Sequence, residues 1–125
     1  MKRFSVFFLV VLLSSCYSHD RDCKKFQTGT FVFESYLNGE FVTTRFKRND
    51  SIEIDYFQGK TDTSSVRWIN DCEYILTNLN PTDPGEEKPI HIKILSTDQD
   101  SYIFEFSEVG SPNKQQGTAK KVQDL

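Results

Sequence analysis

Three cysteines, Cys16, Cys23 and Cys72, and two histidines, His19 and His91, are the side chains of this 125-residue sequence best suited to covalent or metal chemistry. Their spacing excludes most of it. No Cys-x-x-Cys occurs, and the histidines lie on a tether and in a predicted strand, so zinc-type ligand spacing is absent. The sequence also lacks a Gly-x-Ser-x-Gly elbow, a His-Glu-x-x-His pair and a phosphate-binding glycine loop. Asp55 and Glu73 are acidic residues that could meet in space, but catalysis needs a nucleophile, a base and a charge stabiliser that converge, and no spacing here brings them together. The chain reads as a non-enzyme that needs no metal and no cofactor.

Cys16 takes its role from what precedes it. Met1-Lys2-Arg3 leads into an apolar run over residues 4–13, then Ser14-Ser15 and Cys16. A basic start, a short apolar stretch and small residues before a cut make a secretory leader, whereas a membrane-spanning helix needs about 20 apolar residues. Leu13-Ser14-Ser15-Cys16 resembles the bacterial lipoprotein box, Leu-small-small-Cys. That resemblance implies that the Cys16 sulfur is acylated, that residues 1–15 are removed, and that residues 16–22 form a polar tether from the lipid. One acyl chain, at about 0.8 kcal/mol per buried methylene, gives marginal membrane binding; two or three hold firmly. By the sorting logic of Gram-negative lipoproteins, Tyr17 in place of an aspartate after Cys16 implies an outer-membrane anchor with the domain on the periplasmic face. Asp20 and Asp22 leave display at the cell surface open.

Export leads to an oxidising compartment, where Cys23 and Cys72 are expected to join in one disulfide. Closing a loop of that length stabilises a fold by about 4 kcal/mol in the chain-entropy model. Loss of Lys2 and Arg3 with the leader leaves 13 basic against 18 acidic side chains, a net charge of −5 over 110 residues. That sign, with no long run of Lys or Arg, argues against a nucleic-acid partner and leaves membrane attachment to the lipid on Cys16.

The elements that must position everything else are strands. From Gly29 onward apolar residues recur with period two and β-branched and aromatic types dominate, while no 3.6-residue period is sustained. Residues 29–37 and 40–48 flank Asn38-Gly39, a strong two-residue hairpin signal. Strands are expected over 51–58, 60–69, 72–79, 89–96 and 100–107, and an eighth over 116–122 either closes the structure or frays. In 51–58, Ile52, Ile54 and Tyr56 share one face and Glu53 and Asp55 the other. Ile90, Ile92 and Ile94 share a face opposite His91 and Lys93; Tyr102, Phe104 and Phe106 alternate against Ile103 and Glu105. Residues 80–88, with Pro81, Pro84, Gly85 and the acidic Asp83, Glu86 and Glu87, form an exposed loop. Short connections predict one all-β domain over residues 23–122, with 123–125 a tail: an antiparallel up-and-down meander of seven to eight strands, closed as a barrel or left as a strongly curved sheet or small sandwich.

Two further resemblances rest on short motifs. Gly29-Thr30-Phe31 is similar to the Gly-x-Trp that opens the first lipocalin strand, and Thr97-Asp98-Gln99, followed by Asp100-Ser101-Tyr102, to the lipocalin Thr-Asp-Tyr turn. The helix that flanks the lipocalin barrel and the arginine motif near its C-terminus have no counterpart after Glu108. Cys23 to Phe31, as Cys-x-x-Phe-x-Thr-Gly-x-Phe, and Asn70 to Tyr74, as Asn-x-Cys-Glu-Tyr, resemble a class of small envelope lipoproteins. The lipocalin resemblance implies a barrel that carries a small apolar ligand, with Phe31, Phe33, Phe46, Trp68 and Tyr102 as lining residues. Against it stands the alternative of a filled core: residues 16–125 carry 14 aromatic side chains, enough to fill a small barrel. The domain would then be a module that binds or inhibits another envelope protein through loops such as 80–88.

Overall fold

The computed structural model describes residues 21–37 and 39–125; the expected leader 1–15, the expected acylation site Cys16, residues 17–20 of the expected tether and Asn38 lie outside the described residues. The described residues form eight strands: β1 Gly29–Leu37, β2 Glu40–Arg48, β3 Ile52–Phe57, β4 Lys60–Asn70, β5 Glu73–Asn78, β6 Ile90–Thr97, β7 Ser101–Glu108 and β8 Gln115–Gln123. Each runs antiparallel to the next, and β8 returns to pair with β1, so the meander closes into a barrel rather than remaining a curved sheet. Closure satisfies the strand edges that an open sheet would expose. The eighth strand is therefore a full member, from Gln115 to Gln123, with Phe31 opposite Lys121 and Phe33 opposite Ala119.

Local chemistry explains the corners. Leu37 stands opposite Glu40, and Gly39 has φ +81°, the positive value a mirror-image turn needs. Gly29 opens β1 at φ +139° where β8 passes close by: a Cβ there would lie 2.7 Å from Lys121 Cε and 2.9 Å from the Gln123 carbonyl oxygen. The Gly-x-Phe start of β1 is thus a steric requirement of barrel closure. Cys72 lies in the β4–β5 turn rather than in a strand, because β4 runs on to Asn70 through a register shift after Trp68.

The barrel has two unlike ends. The chain enters at one of them, where a 3-10 turn, Lys24–Phe26, that the sequence pattern did not suggest lies beneath the strands as a plug. Phe26 is fully buried with its ring 5.2 Å from Tyr102. The Cys23–Cys72 disulfide clips this turn to the β4–β5 corner. Gln27 Nε2 donates to the Asp71 carbonyl at 3.2 Å, and Lys121 Nζ to the Lys25 carbonyl at 2.8 Å. Upstream, Arg21 Nη1 donates to the Ile94 carbonyl and the Asp22 backbone N–H to Thr97 Oγ1, each at 2.9 Å. The opposite end, where β1–β2, β3–β4, β5–β6 and β7–β8 are joined, carries no such plug among the described residues.

Candidate ligand cavity

Inward side chains change size along the barrel axis. Toward the closed end they are aromatic: Phe31 and Phe46 stack at 5.1 Å, and Trp68 lies 4.5 Å from Tyr74. Toward the mouth, β1 to β4 turn Ser35, Thr44, Asp55, Asp62 and Ser64 inward, residues too small to meet across the barrel. What remains is a cavity of about 420 Å³, walled by Phe33, Phe57, Leu76, Ile90, Phe104 and Phe106 besides the polar residues, and open at the mouth. Gly117 of β8 makes room on the far wall. A Cβ there would stand 2.6 Å from Phe33 Cε2 and 2.9 Å from Phe104 Cζ, so glycine is what lets those two rings meet edge to face at 5.5 Å.

Arg48 forms the floor. It ends β2 on the same face as Phe46 and is 0% exposed. Its five N–H donors are all used: Nε to the Gln27 carbonyl at 2.9 Å, Nη1 to Glu53 Oε1 at 2.9 Å and to Tyr74 Oη at 2.7 Å, and Nη2 to the Phe26 carbonyl and to Tyr102 Oη at 3.4 Å. The guanidinium also lies 4.7 Å from the Phe31 ring centroid and 4.8 Å from that of Tyr74. This satisfies the requirement that a buried charge be paired and hydrogen-bonded, and it ties the plug to the strands. No buried side-chain polar atom among the described residues lacks a partner.

Above the floor, β3 turns Glu53 and Asp55 inward, leaving Ile52, Ile54 and Tyr56 on the outer face. The more polar of its two faces is the inner one. Asp55 stands directly opposite Asp62 of β4, and both line the cavity. Burial, then Glu53 and Asp62 nearby, push the Asp55 carboxyl up to about 9 against the pull of Arg48. Burial likewise raises the phenols of Tyr74 and Tyr102, so both stay neutral.

Of the expected lining residues, Phe33, Phe46 and Tyr102 border the cavity; Phe31 and Trp68 pack below it in the closed end. Ile90, Ile92 and Tyr102, Phe104, Phe106 face inward as their alternation implied. Asp55 and Glu73 do not meet: Asp55 is inside, whereas Glu73 is on the outer face, accepting from Asn70 Nδ2 and 3.2 Å from His91 Nε2. The 79–89 loop is internally braced. Glu86 accepts from the Thr82 backbone N–H at 2.7 Å, Thr82 Oγ1 at 2.8 Å and Lys60 Nζ at 3.2 Å, and these donors hold its carboxyl down at about 2. The sequence pattern does not mark Glu53, Asp55 and Asp62 as cavity residues or Arg48 as the group beneath them. The available signal was register: Arg48 shares a β2 face with Phe46, and its cross-strand partner is Glu53. No protein family, curated protein or solved structure matches this chain.

Proposed function

We propose that the protein is a membrane-tethered envelope lipoprotein that carries a small apolar ligand in the mouth half of its barrel. The cavity carries this reading: about 420 Å³, within the roughly 300–1,000 Å³ of small-molecule sites, with mostly aromatic and aliphatic walls and a stoppered base. A floor with every donor satisfied is rigid, and a rigid, preformed pocket lowers the ordering cost of binding. Acylation of Cys16 and an outer-membrane address rest on the lipoprotein box and on Tyr17. The entry of the chain at the closed end agrees with that anchor. With at most about 3.6 Å per residue, the five steps of chain before Arg21 reach no more than about 18 Å, so a lipid on Cys16 would hold the plugged end toward the bilayer and leave the mouth facing away.

The test is native mass spectrometry on the chain from Tyr17 onward, exported to an oxidising periplasm and purified without detergent; residues 21–125 close their own barrel, so this piece holds the whole site. A mass excess released as an apolar compound is expected, and Leu76→Trp, which intrudes on the cavity, should reduce it without lowering Tm. A bare mass in both proteins after incubation with an envelope lipid extract overturns the carrier reading. For the anchor, Cys16→Ala should lose radiolabelled palmitate and membrane fractionation.

A second reading, a protein-interaction module, is favoured by one observation. Tyr36 and Phe41, paired across the β1–β2 hairpin, have ring centroids 4.0 Å apart with the rings tilted by 47°, while remaining 66% and 67% exposed. Aromatic side chains in solvent are enriched in binding surfaces. Under this reading Tyr36→Ser/Phe41→Ser abolishes crosslinking to an envelope protein and leaves ligand content unchanged.

A further inference from the structure

The charged groups of the cavity wall are all of one sign. No lysine, arginine or histidine is among the described residues of its wall, while Glu53, Asp55 and Asp62 are. The guanidinium beneath cannot serve an incoming anion, because its five donors already go to Glu53, Tyr74, Tyr102 and the Phe26 and Gln27 carbonyls. Of the three acids only Glu53 is in an ion pair among the described residues; Asp55 and Asp62 face each other across the β3–β4 ladder with no cation on either. Of the cations by the mouth, Lys60 is paired with Glu86 at 3.2 Å and also acts on Asp62 through space, and Lys88, which lines the space beneath the 79–89 loop, is paired with Glu108 at 3.6 Å. A second space of about 300 Å³ beneath the 79–89 loop shares Asp55, Asp62, Leu76 and Ile90 with the main cavity, so the acidic pair is reached both from within and from under the loop.

We infer that the ligand is an amphiphile with a cationic head, its apolar body among Phe33, Phe57, Phe104 and Phe106 and its head against Asp55 and Asp62. This rests on the carrier reading above and names the ligand class for the same site. A fatty carboxylate entering the cavity meets two carboxyl groups and no unpaired cation on its wall, whereas an ammonium meets two acids outside any ion pair among the described residues and aromatic faces, which also attract cations. Desolvated inside the barrel, the charge difference weighs more than it would in water. The titratable and charged groups acting on Asp55 are Glu53 on its own strand, Asp62 of β4, Arg48 of β2 and Tyr74 of β5. Among them Arg48 is the sole cation. Burial and the neighbouring acids favour the protonated form of Asp55, and a cation placed beside it would favour release of that proton.

The probes are decyltrimethylammonium, decanoate and decanol below their micellar concentrations, titrated calorimetrically into the chain from Tyr17 onward. The ammonium carries a fixed charge, so any pH dependence of its binding belongs to the protein. It should bind at least about tenfold tighter than decanoate at pH 7, tighten from about pH 6 to about pH 9, and release protons, as read in buffers of different ionisation enthalpy. Asp55→Asn/Asp62→Asn should erase the preference while decanol still binds, which also certifies the variant's fold. Decanoate binding as tightly as the ammonium, or an ammonium preference that survives in the double variant, overturns the inference and leaves the carrier reading standing. Failure of all three probes overturns both.

Discussion

Arg48 and Glu53 face each other in register across the β2–β3 corner, 2.9 Å apart and almost without solvent contact. This one pair fastens the plug to the barrel, since the same guanidinium holds the carbonyls of Phe26 and Gln27. Removing one partner of a buried pair leaves an uncompensated charge and costs about 3–5 kcal/mol, while replacing both with apolar groups is often neutral. Arg48→Met should therefore destabilise strongly in urea, and Arg48→Met/Glu53→Leu should regain part of the loss. Equal stability of the two variants would mean that the pair is not coupled and that Arg48 acts through the plug carbonyls alone.

The disulfide joins Cys23 and Cys72 across a sequence separation of 49. In the chain-entropy model that constraint is worth about 4 kcal/mol, and for a domain of about 100 residues each kcal/mol moves Tm by about 4–8 °C. Reduction, or Cys23→Ala/Cys72→Ala, should lower Tm by more than about 15 °C. Because the bond pins the 3-10 turn, hydrogen exchange should rise first at Lys24–Phe26 and at the β4–β5 turn. An unchanged melting curve in dithiothreitol with both thiols titratable would falsify the staple.

Strand order was legible in the sequence because period two is a geometric property of the strand itself; the turns at Asn38-Gly39 and Gly59 punctuate it. Closure was legible only as one of several outcomes. What decides it is the approach of Gln123 and Lys121 to Gly29, a contact between residues more than 90 positions apart. The cavity was harder still. Sequence reading assigns aromatic residues to a core or to a pocket with equal ease, and the separation of Phe31 and Trp68 from Phe33 depends on how high each sits along the barrel axis. The inward turn of Glu53 and Asp55 contradicts the usual burial of the apolar face. It follows from pairing: Glu53 must lie opposite Arg48, and a shift by one residue would point every side chain of β3 the other way.

Gly117 offers a test of how the cavity wall is built. An alanine Cβ would sit 2.6 Å from Phe33 Cε2, far inside van der Waals contact, so the ring must move. Overpacking of this kind costs about 1–3 kcal/mol in a filled core. Here Phe33 borders open space and can swing into it, so Gly117→Ala should sit at the low end of that range while weakening binding of decanol about tenfold or more. A large loss of stability with ligand affinity intact would show that the mouth half is already full.

Asp55 gives the fold an unusual pH dependence. Its carboxyl ordinarily titrates at 3.8 and in the barrel at about 9, so between those values the folded chain holds a proton that the unfolded chain has lost. Stability contributed by this group is fully present below its unfolded value and drains away as pH rises toward 9, with a slope approaching about 1.4 kcal/mol per pH unit for one fully coupled proton. Wild type should be measurably more stable to urea at pH 5.5 than at pH 8. Asp55→Asn keeps the shape and cannot ionise, so its stability should exceed that of wild type by a margin that widens with pH. Parallel pH profiles for the two proteins would mean that Asp55 stays ionised inside the barrel, and the proton release expected on binding a cation would then be absent as well.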